Sequence, residues 1–514
     1  MPPSEEASDG RGNSGEIGAG DAKAHFVFIP LMFQGHLIPT VDTALMVATH
    51  GAVATVVVTP SYAGRVRRTV DLAMTARRSS GAAAPVDVRV VDLPLDLAVV
   101  GFPDGCDDNI DNIPPGFGRD YFRALALLRE PLKRHLRAAG APYPTCVVSD
   151  ACLPWTQELA AGLGVPRVCF FSMCAFCVLC QHNIERYNAF DGVAGDDVAV
   201  VVPGLGDKTF EVTKAQAPGF FRMPGWEDYG DAMERALAEA DGFVMNTFME
   251  MEPEFVAAYA AARRMKVWTI GPVSLHHQHT TSLAARGKTT AIDADECLQW
   301  LDNKEPNSVV YVSFGSIAHA DPKQIVELGL GLEATGRPFI WVVKNVELYG
   351  ETMREFLQEL EARVAGRGLL IRGWAPQVLI LSHAAVGGFV THCGWNSILE
   401  AVTAGVPVVT WPHFSDQFLN QKMAVEVLGI GVSVGVHEPV VFQVEKKDIV
   451  VGREVVETAI RSILDGGEEG EERRTRARAL AEKARTAVQE GGSSRDNVFD
   501  LIKSFTGEQG DNRI

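Results

Sequence analysis

The chain has 514 residues, 46% of them hydrophobic and 22% charged, with a net charge of −18. That length exceeds what a single hydrophobic core supports, so two domains are expected, and the apolar share suits a globular chain rather than a disordered one. The negative balance excludes broad electrostatic attraction to nucleic acid or anionic membrane, although phosphates can still be held at local sites.

The first 24 residues, "MPPSEEASDGRGNSGEIGAGDAKA", are acidic and rich in Gly and Ser. They lack the basic start and apolar run of a signal peptide and read as a disordered leader. No apolar run reaches the roughly 18 to 20 residues that a membrane-spanning helix needs. The nine cysteines, an odd number spread over a long chain, suit free thiols in a reducing cytoplasm.

From residue 25 onward, short β-rich runs alternate with longer helical stretches, the pattern of a parallel sheet covered by helices. Strands are predicted at "HFVFIPL" (25–31), "ATVVVTP" (54–60), "VDVRVVDLP" (86–94), "TCVVSD" (145–150) and "RVCFFS" (167–172). His36 follows the first of these and precedes a helix that the pattern starts at Pro39, and Asp150 ends the fourth. Cys174, Cys177 and Cys180 in "CAFCVLC" have no second ligand pair at zinc-finger spacing. Set among Phe, Val and Leu, they read as buried thiols on an apolar helix.

Strands at "GFVMNTF" (242–248) and "KVWTIGPV" (266–273) precede a polar stretch over 274–290 that reads as a linker. The alternation then restarts with "SVVYVSFGS" (308–316), "PFIWVVK" (338–344), "GLLIRGW" (368–374), "VGGFVTHCG" (386–394) and "VPVVTWP" (406–412). An amphipathic tail should form one or two terminal helices. The expected fold class is α/β, with two facing doubly wound, Rossmann-like domains. The first domain covers 25–273 and the second 291–480, with helices over 481–507 packing back on the first.

Open parallel sheets bind ligands at the carboxyl ends of their strands. There this chain places His36, Asp150, Ser316, His392 and Asp416, so a cleft between two facing sheets would collect them. "HCGWNSILEA" (392–401) reads as a strand end, a glycine turn and a helix start. A helix N-terminus offers free N–H groups and a positive dipole end, which suits a pyrophosphate. His392, Asn396 and Ser397 can add side-chain donors, Gly394 permits close backbone approach, and Ser316 could hold the same phosphates from the opposite side. Each of these alone also reads as a helix cap or a satisfied core residue. Trp374, at a strand end, offers an indole that could stack on a flat base. A P-loop pattern and a GxGxxG after the first strand are both absent from the sequence.

From Trp374 to Gln417 the chain reads "WAPQVLILSHAAVGGFVTHCGWNSILEAVTAGVPVVTWPHFSDQ". This 44-residue stretch closely resembles the signature box of plant family 1 UDP-dependent glycosyltransferases, and "GHLIP" and "YVSFGS" agree with it. The resemblance covers roughly residues 25 to 505 and implies a GT-B arrangement of two domains. It assigns Trp374 to uracil stacking, sets Ala375 in the donor set, and brings Gln377 and Glu400 to the ribose hydroxyls. Asp416 and Gln417 would read sugar hydroxyls beside Trp395, and Ser172 would touch the donor sugar. A terminal Gln with Trp at 395 is the pattern usual for glucose, so UDP-glucose is the expected donor and another UDP-sugar the alternative. No His and carboxylate cluster in the sequence resembles a divalent metal site, and the resemblance implies catalysis without a metal or other cofactor.

Transfer to a hydroxyl needs a base. A phenol near pKa ~10 and a His near ~6.5 are mismatched by about three to four units, so proton removal must accompany attack. The resemblance carries the catalytic pair onto His36 and Asp150, with Asp150 fixing the tautomer of the base and stabilising its charged form. The expected reaction is displacement at the anomeric carbon with inversion, onto a hydroxyl of a flavonoid, coumarin, terpenoid, steroid or mycotoxin. The aromatic stretches 101–111, 170–180 and 217–230 are the candidate acceptor walls. The expected partners are thus a UDP-sugar and a small acceptor, with no nucleic acid or membrane segment, and the protein a monomer. Two rivals remain at this stage. A nucleotide-dependent oxidoreductase would need the missing glycine fingerprint, and a UDP-sugar sensor could dispense with the His36–Asp150 pair.

Overall fold

The computed structural model describes residues 23–79, 86–138, 142–217, 225–276, 286–315, 321–344, 350–440, 451–465 and 467–506. The first half builds strands β1 (His25–Ile29), β2 (Val53–Val58), β3 (Asp87–Asp92), β4 (Cys146–Asp150) and β5 (Arg167–Phe171). A small antiparallel hairpin, β6 (Ala199–Val201) and β7 (Glu211–Thr213), precedes β8 (Gly242–Met245) and β9 (Val267–Thr269). The second half contributes β10 (Val309–Ser313), β11 (Phe339–Val343), β12 (Gly368–Arg372), β13 (Val386–Thr391), β14 (Val408–Thr410) and β15 (Gly431–Ser433).

Among the described residues these strands form two parallel sheets, ordered β3-β2-β1-β4-β5-β8-β9 and β12-β11-β10-β13-β14-β15. This is the pair of doubly wound α/β layers expected from the sequence. Each sheet reverses its winding once, between β1 and β4 in the first and between β10 and β13 in the second. Chain connections leave in opposite directions at such a point, which opens a crevice at the carboxyl edge.

Strand ends follow local chemistry. The run "HFVFIPL" stops pairing at Ile29 because Pro30 has no N–H to donate. β1 is buried along its whole length, as a central parallel strand with both faces covered must be. β10 divides its side chains by period two. Val309 and Tyr311 join the large core that runs through both halves, and Val310 and Val312 join a second core beneath the outer helices. β15, with only "GVS", carries too weak a pattern to read as a strand alone. Pairing with the edge of β14 forms it.

The helix Pro322–Thr335 shows how local signals set helix limits. Asp321 caps its start by accepting from the Lys323 N–H, Pro322 occupies the first turn, and Gly336 ends it in the left-handed region. The final helix, Ser493–Ser504, lies on the edge strand β9. Trp268 Nε1 donates to Asp500 Oδ2 at 2.7 Å, Asn497 Nδ2 donates to the Thr269 carbonyl at 3.0 Å, and Val498 and Leu501 are fully buried. That helix covers an edge whose backbone groups would otherwise face solvent.

The helix after β1 begins at Gln34 rather than at Pro39, so His36 sits in its first turn and Pro39 lies inside it. Phe33 supplies the carbonyl that starts this helix, accepting from the His36 and Leu37 N–H groups. Pro39 has no N–H, which leaves the Gly35 carbonyl without its i+4 donor. Asn396, from the second half of the chain, supplies one through Nδ2 at 2.6 Å. A proline inside a helix is tolerated here because a neighbouring side chain takes up the freed acceptor.

Candidate active site

His36 and Asp150 meet at the switch point of the first sheet. His36 Nδ1 lies 2.7 Å from Asp150 Oδ2. The other carboxylate oxygen accepts the Cys152 N–H at 2.9 Å. Asp150 is therefore both the cap of the following turn and the partner of the histidine. With Nδ1–H directed at the carboxylate, Nε2 is left as the basic nitrogen. The His36 side chain is 27% exposed and Asp150 only 1%, so the pair has a dry back and an open front. Burial works against charge on the imidazole, but the Asp150 charge and hydrogen bond, with help from Asp416, outweigh it. The His36 pKa is accordingly raised above its ordinary 6.5. Ser172 Oγ stands 3.1 Å from the same Nδ1, beside the base.

Across the cleft, the switch point of the second sheet carries the remaining polar set. Cys393 takes a left-handed φ of 65° between β13 and the helix Trp395–Ala404. A β-carbon-bearing residue pays strain there, and such turns collect at functional sites. The first N–H groups of that helix have no intrahelical partner, and Gly394 at its N-cap offers no side-chain cap. His392 stands at its mouth between two glycines. A Cβ at Gly315 would lie 2.4 Å from the ring's Cε1, and one at Gly394 2.4 Å from its Nε2. Burial, then the nearby His413 and Lys344, pull the His392 pKa down to about 3. Its ring is neutral at working pH, and its buried Nδ1 has no partner among the described residues. A buried orphan nitrogen beside free helix N–H groups has the character of an anion-binding pocket. Ser316 lies outside the described residues.

Trp374 follows β12, and Lys344 Nζ sits 5.4 Å from the centroid of its indole. Burial and the neighbouring Lys288 pull the Lys344 amine down to about 7. Ala375 is buried, and its carbonyl accepts the Gln377 N–H at 2.9 Å. Gln377 Nε2 donates to Ser397 Oγ at 3.0 Å and to Glu400 Oε2 at 2.7 Å. Tyr311 Oη donates to the Gln377 Oε1 at 3.4 Å. These contacts join Gln377, Ser397 and Glu400 into one network below Trp374.

Trp395 is 2% exposed and donates its indole N–H to the Asn246 carbonyl at 2.8 Å. Asn396 accepts from Asn246 Nδ2 at 3.3 Å in addition to its bond to Gly35. The helix start thus touches the residue preceding His36. Asp416 accepts from Asn420 Nδ2 at 2.7 Å, and the same amide donates to the Cys393 carbonyl at 3.0 Å. Burial raises the Asp416 pKa against the pull of Asn420 and His36. Gln417 Oε1 accepts the His413 and Phe414 N–H groups at 2.8 and 3.2 Å, fixing the turn that carries Asp416.

The fold brings together His36, Asp150, Ser172, Asp416 and the 392–397 turn in one group, and Trp374, Gln377, Ser397 and Glu400 in a second beside it. Asn420, Asp42 and Arg286 belong to this region too but escaped the sequence reading. Asn420 had a signal, four residues past Asp416 on one helical face. Arg286 had none, being one polar residue in a stretch that reads as a linker.

An aromatic wall flanks the histidine. Phe33 lies 6.2 Å from His36 and 6.5 Å from Phe122, which packs on Trp226 at 5.5 Å and Tyr229 at 5.3 Å. Part of the 217–230 stretch expected to line the acceptor, residues 218–224, lies outside the described residues. Cys174, Cys177 and Cys180 are buried free thiols on the helix Ala175–Arg186 or at its start. His36, Asp150 and Cys152 each offer a ligand atom within 4.8 Å of the others, a set that could hold a metal ion. The Cys152 thiol is pushed well up by burial and by Asp150, so it would have to release its proton before it could bind a metal. Among the described residues, no helix is long and apolar enough to cross a membrane.

Comparison with known proteins matches this arrangement. The family described as "UDP-glucoronosyl and UDP-glucosyl transferase" matches residues 274–446. The chain is 42% identical to UDP-glycosyltransferase 73E1 of Stevia rebaudiana, across 94% of this chain and 96% of that protein. It is also 42% identical to UDP-glycosyltransferase 73D1 of Arabidopsis thaliana, with the same coverage. The crystal structure of Glycyrrhiza uralensis UGT73P12 complexed with glycyrrhetinic acid 3-O-monoglucuronide superposes with a TM-score of 0.84 at 33% identity, covering 94% of this chain and 96% of that one.

Proposed function

Since the chain belongs to the plant family 1 UDP-glycosyltransferases, we propose that it moves glucose from UDP-glucose onto a hydroxyl of a small apolar metabolite. Glycosyl transfer from a UDP-sugar to a small plant molecule is the family's activity; the sugar, the acceptor class and the residue roles are our reading. One observation carries it. Asn396, in the first turn of the helix suited to a diphosphate, is hydrogen-bonded to the carbonyl of Gly35, next to the histidine held by Asp150. That bond joins the first turn of this helix to the residue before His36, which supports reading the two as an anion site and a base lying side by side.

In this reading the acceptor hydroxyl donates to His36 Nε2 while its oxygen attacks the anomeric carbon. The new carbon–oxygen bond forms as the bond to the diphosphate breaks, and UDP leaves with that electron pair. The proton passes to His36, whose charged form Asp150 stabilises, and no covalent enzyme intermediate is needed. Attack from the face opposite the leaving group inverts an α-linked donor to a β-glucoside. Neutral His392, the helix N–H groups and the side chains of Asn396 and Ser397 would carry the diphosphate charge, with no metal ion assigned to the step. Trp374 and Ala375 would take the base, Gln377 and Glu400 the ribose, and Asp416, Gln417, Trp395 and Ser172 the sugar. We divide the chain accordingly, with the acceptor in 25–273 and the donor in 291–480.

The aromatic wall of Phe33, Phe122, Trp226 and Tyr229 supports a flat or bulky apolar acceptor of flavonoid, coumarin, terpenoid, steroid or mycotoxin type. Nine free thiols support work in the cytoplasm. The test is mass spectrometry of products from purified protein, UDP-glucose and a panel of such acceptors, repeated with UDP-galactose, UDP-xylose and UDP-glucuronate. The expected result is a product heavier by one hexose with UDP-glucose alone. Bound UDP with no product from any donor would leave a UDP-sugar sensor in place of a transferase.

A further inference from the structure

At the end of the stretch expected to link the two halves, residues 286–291 bridge the helix that carries His36 and the donor-side helix. Arg286 Nε donates to Asp42 Oδ2 at 2.7 Å, and its Nη1 donates to Glu400 Oε1. Asp42 belongs to the helix Gln34–Thr49 that carries His36, and Glu400 to the helix Trp395–Ala404 that carries Asn396. All three side chains are buried, at 8% exposure or less. The rest of the strap is pinned to the same pocket. Gly287 presses on Trp374, where an added Cβ would lie 2.5 Å from the indole Cζ2, and the Ala291 N–H donates to the Trp374 carbonyl at 2.7 Å. Lys288 pairs with Asp111 in the first half.

Glu400 therefore accepts from Arg286 on one oxygen and from Gln377 on the other. A carboxylate has about four lone-pair sites, so roughly two remain, one on each oxygen. Two neighbouring hydroxyls could reach them together. A lone buried carboxylate would take up a proton or turn towards water instead. Arg286 supplies the buried counter-charge and holds one carboxylate oxygen, and Asp42 keeps the guanidinium in register.

We propose that Arg286 is a positioning residue for the donor, bridging Asp42 and Glu400 so that the Glu400 carboxylate meets the ribose diol of the nucleotide. The proposal rests on reading Glu400 as the ribose acceptor. It adds that the first half of the chain, through Asp42, takes part in nucleotide recognition without touching the nucleotide. Arg is suited to this place because its planar fork serves two carboxylates at once, whereas the Lys ammonium is a point charge.

The test measures affinities of the full-length protein for UDP and for 2′-deoxy-UDP by calorimetry, in wild type, Arg286→Met and Arg286→Lys. In wild type, losing one hydroxyl from a charged acceptor should weaken binding about tenfold or more. Arg286→Met should bind UDP less tightly and bring the ratio of the two affinities to within about threefold, while Arg286→Lys keeps an intermediate ratio. Should Arg286→Met lose its far-UV circular dichroism, Asp42→Asn serves in its place and should also lower the ratio. Equal losses for both ligands with the ratio unchanged would mean that Arg286 acts only on the fold, and would overturn the proposal. A wild type that binds UDP without preferring the ribose form fails earlier, at Glu400. A wild type that binds no UDP fails earlier still, at the proposed function.

Discussion

Replacing Asp150 by Asn keeps the shape of the His36 pair and removes its charge. In the native pair, burial disfavours the imidazolium and Asp150 overcompensates, so the His36 pKa is raised above 6.5. As the proposed base, His36 must be unprotonated to act, so kcat/KM should rise with pH through a value above 6.5 and reach a plateau. In Asp150→Asn the burial remains and the compensating charge is gone. The acid limb should then move below 6.5, in the direction opposite to a simple loss of activity. In the proposed mechanism the 2.7 Å bond between the two groups would strengthen as His36 gains its proton in the transition state. A hydrogen bond to a charged group contributes about 1.5–3 kcal/mol, and each ~1.36 kcal/mol of barrier is tenfold in rate. The plateau kcat should thus fall by about 10- to 150-fold. The amide can also present its NH2 to Nδ1 and select the wrong tautomer, which would deepen the loss. UDP affinity should stay within about twofold, because the residues expected to hold UDP lie in the second sheet. The assay is the pH dependence of kcat/KM with UDP-glucose and a phenolic acceptor. An acid limb left in place, or moved upward, would refute the argument that Asp150 sets the basicity of His36.

Three further outcomes follow from the geometry. Gly315→Ala forces a Cβ to 2.4 Å from the His392 ring at a φ of +73°; the left-handed conformation alone costs about 1–2 kcal/mol, and UDP affinity should fall at least tenfold with the circular dichroism unchanged. Asn396→Ala removes the side-chain donor from the exposed Gly35 carbonyl that Pro39 already leaves without a helical partner, at about 0.5–1.5 kcal/mol, and should lower the melting temperature by a few degrees; an unchanged Tm would mean that water or another donor takes its place. Ending the chain before Ser493 removes the buried Val498 and Leu501 and uncovers Trp268; fully burying a Val or Leu side chain contributes about 1.5–3 kcal/mol, so the truncated protein should unfold at lower urea and show red-shifted tryptophan emission.

Both layers of the fold were legible in the sequence because their signals are local. Continuous apolar runs such as "HFVFI" and "VVYVS", β-rich and alternating with longer helical stretches, read as strands covered on both faces of parallel sheets. The donor turn was legible for the same reason, since "THCGWNS" is continuous in the chain and its Cys, Gly and helix start act on one another directly. The helix start after β1 was misread because Pro39 is a strong local signal for a first turn. The acceptor that repairs its effect, the Gly35 carbonyl, is served from Asn396 far along the chain.

Composition, strand pattern and the 374–417 box therefore determined two doubly wound layers and a pocket suited to a sugar nucleotide. The tertiary structure decided which residues work together. It set the His36 Nδ1 rather than Nε2 on Asp150, joined Asp42 to Glu400 through Arg286, and held Asp416 to the Cys393 turn through Asn420. None of these pairings has a sequence period, because they cross between separate elements. A buried charge takes whichever counter-charge the packing brings within hydrogen-bond reach, and only the folded chain fixes that distance.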